Sequence, residues 1–106
     1  MGLARKLAGR ITAMRYDDLP EEAIHWAKIG ILDTVGVALA GSREDTMAMV
    51  ETVTGAGAVS GPCVVFDSDR RASPLDAALI NGTASHALDF DDCNNTMGGH
   101  PSAPMV

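Results

Sequence analysis

The sequence predicts a mainly α-helical protein with at most one short strand, near residues 62–66. Apolar residues recur at helical spacing over several long segments, which is the primary signal for amphipathic helices. Aromatic residues make up only 4% of the chain although hydrophobic residues make up 46%. The core must therefore be built mainly from Ala, Val, Leu, Ile and Met, whose compact side chains allow helices to pack closely.

The first predicted helix spans residues 3–15 and carries an apolar stripe at helical spacing, formed by Leu3, Leu7, Ile11 and Met14. A second helix is predicted over residues 20–40, ending at Gly41, because Asp18, Pro20 and Glu21 form a helix start. Its apolar residues extend almost all round the helix. This pattern predicts a helix buried by several neighbours.

The second half of the chain begins with a third predicted helix over residues 43–54. The glycine-rich segment 55–61 has no strand before it and no helix opening from it, so it is interpreted as a flexible connection rather than a dinucleotide loop. Residues 67–71 are typical of a polar turn after the edge strand. A fourth helix is predicted from Pro74 to about Asp89, with Ser73 as its N-cap.

Charge and cysteine content exclude several classes of protein. The net charge is −6 and there is no basic tract, which argues against nucleic-acid binding. Cys63 and Cys93 lie far apart without a CxxC pattern, as expected of reduced thiols in a cytoplasmic protein. The longest apolar stretch, residues 29–41, is too short for a membrane span and contains Asp33. The sequence therefore predicts a soluble cytoplasmic chain.

Chemically useful side chains gather where the fourth helix is expected to end. Spacings of four, three and four would place a set of residues on one face of a continuing helix: Gly82, His86, Asp89 and Cys93. Asp92 would border that face, and Asp91 would point elsewhere as a solvated acidic residue. Carboxylates crowded beside an imidazole provide groups that can exchange protons near neutral pH.

The chain after this helix end is predicted to form a loop over residues 94–99. His100 precedes Pro101 and so ends that loop outside a helix. Another helix start at residues 102–104 is cut off at Val106, which leads us to expect that the natural chain continues. From the residues alone, a histidine placed like His86 is more often a structural hydrogen-bonding residue than a catalyst. A zinc site would require more ligands than His86, His100 and Cys93.

Three blocks of sequence, in a fixed order, resemble the MmgE/PrpD family. The first combines residues 19–22, Ala27-Lys28 and residues 32–41, the second is residues 77–92, and the third is His100-Pro101-Ser102. Together they cover most of the chain from Leu19 onward. The resemblance implies dehydratase, decarboxylase or epimerase chemistry on di- or tricarboxylates.

The resemblance also implies an architecture. Residues 1–106 correspond to the N-terminal part of a large all-helical domain, so the rest of that domain and a smaller α+β lid would be missing. Members of the family act without a metal or an iron–sulfur cluster, so no cofactor is expected. They commonly form homodimers, which is the state expected of the full-length protein.

Carried over by position, the resemblance places Asp89 and His100 in the catalytic pocket. Cys93 stands where the family usually has threonine, and a thiol is a weak hydrogen-bond donor. His86 and Asp92 are further candidates for substrate binding. The shared chemistry is proton transfer at a carbon next to a carboxylate, for which His100 is suited because its unperturbed pKa lies near 6.5. Asp89 would orient His100 or the substrate, or would carry the proton itself.

The site predicted in this way is incomplete. Substrate carboxylates need cations, and the nearest are Arg70 and Arg71 on a turn. We expect lysine or arginine residues beyond Val106 to supply them, so the fragment alone should be inactive. The leading hypothesis is a lyase of the 2-methylcitrate dehydratase type. The alternatives are a decarboxylase or an epimerase of the same family, or a helical interaction module without activity.

Overall fold

The computed structural model describes residues 2–55, 60–96 and 98–106. The described chain is mainly helical, as predicted, and its helices are α1 (Leu3–Ala13), α2 (Glu21–Gly41), α3 (Asp45–Thr54) and α4 (Pro74–His86). Two short antiparallel strands, β1 (Cys63–Val64) and β2 (Arg71–Ala72), pair between α3 and α4. The predicted strand near residues 62–66 is thus present, and its partner follows the polar turn.

Helix α4 lies at the centre of the structure, since α2, α3 and both strands pack against it. The core consists of small and medium-sized apolar residues: Ala38, Met47, Val65, Ala72, Ala77, Ile80 and Ala84. Helices α2 and α4 approach each other closely, since a Cβ on Gly41 would lie 2.1 Å from the carbonyl oxygen of Ala84. Glycine is therefore required there for the two backbones to meet.

The start of α4 forms as the sequence predicts. The Ser73 hydroxyl oxygen accepts a hydrogen bond from the Asp76 backbone N–H at 3.2 Å, and Pro74 occupies the first turn. Further along, the Asn81 side chain accepts from the backbone N–H of Phe66 and donates to the carbonyl oxygen of Val64, both at 3.0 Å. These bonds hold the strand pair against α4.

The end of α4 differs from the prediction. The helix stops at His86 rather than near Asp89, and the Asp89 N–H closes a turn onto the His86 carbonyl oxygen at 3.0 Å. Asp89 then adopts φ = 55°, in the left-handed region that aspartate enters more readily than most residues. The helical register therefore does not extend into residues 87–93. This change decides which side chains meet in the site.

The two remaining loop predictions have different outcomes. The glycine-rich connection over residues 55–61 falls largely on residues 56–59, outside the described part of the chain. Residues 102–106 form a turn in which the N–H groups of Met105 and Val106 bond to the Ser102 carbonyl oxygen, at 2.9 and 3.1 Å. A continuing helix is not formed there within the described residues.

The prediction that α2 is buried by several neighbours is wrong for the described chain. Its buried residues are Thr34, Ala38 and Gly41, all near its C-terminal half, while large residues such as Trp26 and Leu32 are exposed. The reason is that α4 is the helix against which α2 packs in the described part. By length and composition alone α2 could also cross a membrane, a property that it shares with core helices of soluble proteins.

Two glycine substitutions in α2 test the α2–α4 contact. Gly41→Ala should lower the free energy of unfolding by about 1–3 kcal/mol, because its Cβ would overlap the Ala84 carbonyl. Gly36→Ala is the matched control, since no atom lies within 4 Å of a Cβ there. It should raise the free energy of unfolding by about 0.5–1 kcal/mol. Urea titration of both variants measures the difference, and equal stabilities would contradict the close approach.

Candidate active site

Four side chains meet where α4 ends and the following loop returns to it. His86 is the last residue of α4, Asp89 and Asp91 lie on the turn after it, and His100 comes from the far end of the loop. One nitrogen or oxygen atom from each residue lies within 4.8 Å of the corresponding atoms of the other three. We call this group the His–Asp cluster.

Asp91 lies at the centre of the His–Asp cluster. Its side chain is 0% exposed, with Oδ1 at 2.9 Å from His86 Nδ1 and Oδ2 at 3.3 Å from His100 Nδ1. The first contact is a hydrogen bond, whereas Oδ2 has no hydrogen-bond partner in the part of the chain that the structure describes. The prediction that Asp91 is solvated and points elsewhere is therefore wrong. It assumed that α4 continues, and the early end of the helix turns Asp91 inward.

His100 contacts both carboxylates as well as the neighbouring ring. Its Nε2 lies 3.4 Å from Asp89 Oδ1, and its side chain is 24% exposed. The rings of His86 and His100 meet edge to face, with their centroids 4.5 Å apart. Cys93 Sγ lies 3.8 Å from Nε2 and 3.9 Å from Nδ1 of His100. His100 is thus half-enclosed and in contact with every other member of the cluster.

The loop that carries His100 is closed by backbone contacts. Asn94 and Gly99 form an antiparallel bridge, with the Asn94 N–H donating to the Gly99 carbonyl oxygen at 2.9 Å. Asp92 Oδ1 accepts from the Ser102 N–H at 3.0 Å. The sequence suggested Asp92 for substrate binding, and in the structure its carboxylate holds the two ends of the loop together.

The structure thus brings together four of the five residues that the sequence suggested: Asp89, His100, His86 and Cys93. Asp91 is the residue that the sequence analysis missed. A signal was available, since Asp91 lies between two histidines and an imidazole is commonly oriented by a carboxylate. That signal becomes decisive only when the helix is known to end at His86.

The electrostatics of the cluster favour a charged His86. The hydrogen bond that the His86 ring donates to Asp91 raises the pKa of the imidazole, and the charge of Asp91 acts in the same direction. Desolvation lowers this pKa by less, and the charge of Asp89 adds a small further increase. His86 is half-exposed, so solvent screens part of this interaction. A proton on His86 is held more firmly than on a free imidazole.

A cleft of about 810 Å³ opens beside the cluster, within the range of small-molecule sites. His86 and His100 line it together with residues from α2, the β1 region, α4 and the segment 103–106. Among the described residues, no lysine or arginine lines it. Arg70 pairs instead with Glu51, and Arg71 donates to the carbonyl oxygens of Gly61 and Pro62.

Comparison with known proteins identifies the family of this chain. The model of the MmgE/PrpD N-terminal domain matches residues 5–106. The chain belongs to the MmgE/PrpD family. This agrees with the resemblance in the sequence and with the mainly helical fold. The family match itself assigns no role to individual residues.

Relatives of this MmgE/PrpD chain include cis-aconitate decarboxylases. The mouse and human proteins of that name are 29% and 27% identical to it, each over 98% of this chain. A cis-aconitate decarboxylase-like protein of Aspergillus oryzae is 25% identical over 95% of the chain. The chain spans only about a fifth of the length of these relatives, 21–22%. No solved structure matches it significantly.

Proton titration of His86 tests the pairing with Asp91. A chelator in the buffer removes metal ions that would bind the imidazole. Under these conditions, NMR should give a His86 pKa above the ordinary value near 6.5. Asp91→Asn should return that pKa toward 6.5. Because the folded-state pKa is raised, this pair stabilises the fold below about pH 6.5 and the contribution disappears as pH rises through the folded-state pKa. A His86 pKa at or below 6.5 would contradict the hydrogen bond.

Proposed function

We propose that the protein is a lyase that acts on a di- or tricarboxylate by proton transfer at a carbon next to a carboxylate. The observation that carries this proposal is the environment of His100. Its ring borders the cleft and contacts one buried and one exposed carboxylate. Membership of the MmgE/PrpD family and relatives named cis-aconitate decarboxylase support the same class of reaction.

His100 would transfer the proton. A general acid or base must lie within reach of its substrate and have a pKa near the working pH, and an imidazole meets the second condition without large perturbation. The ring is partly exposed toward the cleft and partly enclosed by the cluster. It can therefore reach a bound substrate while its orientation stays fixed.

The two carboxylates would serve His100 in different ways. Asp91 is buried and lies close to both histidine rings, so it acts as a positioning residue that fixes them relative to each other. Asp89 is 77% exposed and lies 3.4 Å from His100 Nε2. It is accessible to the substrate, and it would accept the proton from His100 or stabilise the charged imidazolium.

His86 and Cys93 would contact the substrate. His86 lines the cleft and its pKa is raised by Asp91, so it offers a positive charge to a substrate carboxylate. Cys93 is exposed and lies beside His100, but its thiol is a weaker donor than the hydroxyl common at this position in the family. The supply of further cations from beyond Val106, the homodimer and the cytoplasmic location remain predictions from the sequence.

The names of the relatives favour decarboxylation as the specific reaction. The three similar proteins are named cis-aconitate decarboxylase or cis-aconitate decarboxylase-like. The dehydratase hypothesis drawn from the sequence has the same requirement, a proton transfer beside a carboxylate, and stays as the second candidate. The two reactions differ in whether carbon dioxide or water leaves, so their products distinguish them.

Substitutions at the proposed catalytic positions test the site. In the intact protein, His100→Ala and Asp89→Asn should each lower kcat by about 10²–10⁴-fold, the usual contribution of a positioned acid or base. His25→Ala is the matched control because that histidine is exposed and is not a member of the cluster. Circular dichroism checks that the variants fold. Unchanged turnover in both site variants would exclude the assignment.

Product analysis tests the reaction class. With cis-aconitate as substrate, the intact protein should release carbon dioxide, and NMR in deuterated water should show deuterium at the carbon that is reprotonated. With 2-methylcitrate, a dehydratase would instead form a new carbon–carbon double bond, detected by ultraviolet absorption. If the protein converts neither substrate but still binds a partner, the result would support the non-catalytic helical module instead.

A further inference from the structure

The His–Asp cluster has the composition and spacing of a metal site. Two imidazoles and two carboxylates offer two nitrogen and two oxygen atoms within 4.8 Å of one another. Contacts across the cluster are 2.9, 3.3 and 3.4 Å long, and together they use both oxygens of Asp91 and both ring nitrogens of His100. Tetrahedral zinc with bonds of about 2.0–2.2 Å separates its ligand atoms by roughly 3.3–3.6 Å. With one ligand atom from each residue, the four atoms lie within 4.8 Å of one another, so small inward shifts of the side chains would bring them to the zinc separation.

A second observation points to a cation at this place. Asp91 Oδ2 is buried and has no hydrogen-bond partner among the described residues, although His100 Nδ1 lies 3.3 Å away. The approach of that nitrogen lacks hydrogen-bond geometry, so the contact does not satisfy the oxygen. A buried carboxylate oxygen without a partner is costly. A cation bound between Asp91 and the two rings would satisfy it.

We propose that His86, Asp89, Asp91 and His100 form a binding site for Zn²⁺, and that its occupation blocks proton transfer by His100. A ring nitrogen that coordinates a metal cannot carry a proton at the same time. The binding rests on the cluster alone, whereas the inhibition rests on the proposed function. Each imidazole contributes one ring nitrogen and each carboxylate one oxygen.

The ligand set selects the kind of metal. Imidazole nitrogens with carboxylate oxygens suit zinc and similar transition metals, whereas calcium and magnesium prefer oxygen ligands throughout. Four protein ligands would fill a tetrahedral shell and leave no position for water or substrate. Such a site is closed, so the metal would act as an inhibitor rather than as a catalyst. This is compatible with a family whose reaction requires no metal.

Cobalt titration tests the binding, because Co²⁺ takes the place of zinc and absorbs visible light strongly when tetrahedral. The intact protein, freed of metal by a chelator, should bind one equivalent of Co²⁺ with that spectrum, and Zn²⁺ should displace it. His86→Ala and Asp89→Ala should each weaken binding by at least about 10–100-fold. Both side chains are more than half exposed, so these variants should fold, with some loss of stability from alanine at the positive φ of Asp89. Asp91→Asn should weaken binding similarly.

Two control variants make the result specific. His25→Ala and Asp69→Asn remove an exposed histidine and an exposed aspartate outside the cluster, and should leave Co²⁺ binding unchanged. Absence of stoichiometric binding, an octahedral spectrum, or equal binding by His86→Ala and Asp89→Ala would overturn the metal site. These outcomes are read from the spectrum, so they do not depend on whether the protein turns over any substrate.

Inhibition is measured separately on the intact protein with its substrate. Zn²⁺ should lower turnover in the concentration range in which it displaces Co²⁺, and a chelator should restore the activity. His25→Ala should be inhibited like the wild type. Stoichiometric binding without inhibition would overturn the blocking role while leaving the metal site in place. If no carboxylate is turned over even without zinc, the proposed function fails and the binding result still stands.

Discussion

The buried carboxylate of Asp91 is the interaction on which the candidate site depends. It lies against two imidazoles that arrive from different directions, one at the end of α4 and one at the end of the following loop. A buried charge requires compensation, so the position of each ring is tied to that of the other. Proximity and orientation of this kind are what acid–base chemistry needs from a protein.

The fold follows from the sequence where local signals and packing agree. Ser73 and Pro74 begin α4 as predicted, because a hydroxyl cap and a proline in the first turn satisfy the exposed N–H groups of any helix start. The apolar circumference of α2 predicted burial that the described chain does not provide. An apolar pattern indicates that the helix surface needs to be covered by other residues. It does not indicate which part of the protein covers it.

The site was partly predictable for the same reason. Spacing alone grouped His86, Asp89 and Cys93 on an extended helix, and the structure does bring them together through a turn instead. Asp91 was missed because a single residue with positive φ reverses the direction of the chain. Helical spacing does not predict which side chains meet beyond a residue with positive φ. A glycine would have indicated such a residue in the sequence, whereas an aspartate does not. The position of a helix end therefore decided which acid is buried.

The closed base of the loop before His100 has a consequence for the family. The Asn94–Gly99 bridge and the bond from Ser102 to Asp92 fix the loop at its base rather than at its tip. Residues added or removed between Asn94 and Gly99 would change the length of the loop beyond this bridge and leave the histidine in place. Surface loops tolerate such length changes at small entropic cost. Relatives with loops of different length can therefore keep the same arrangement of His86, Asp91 and His100.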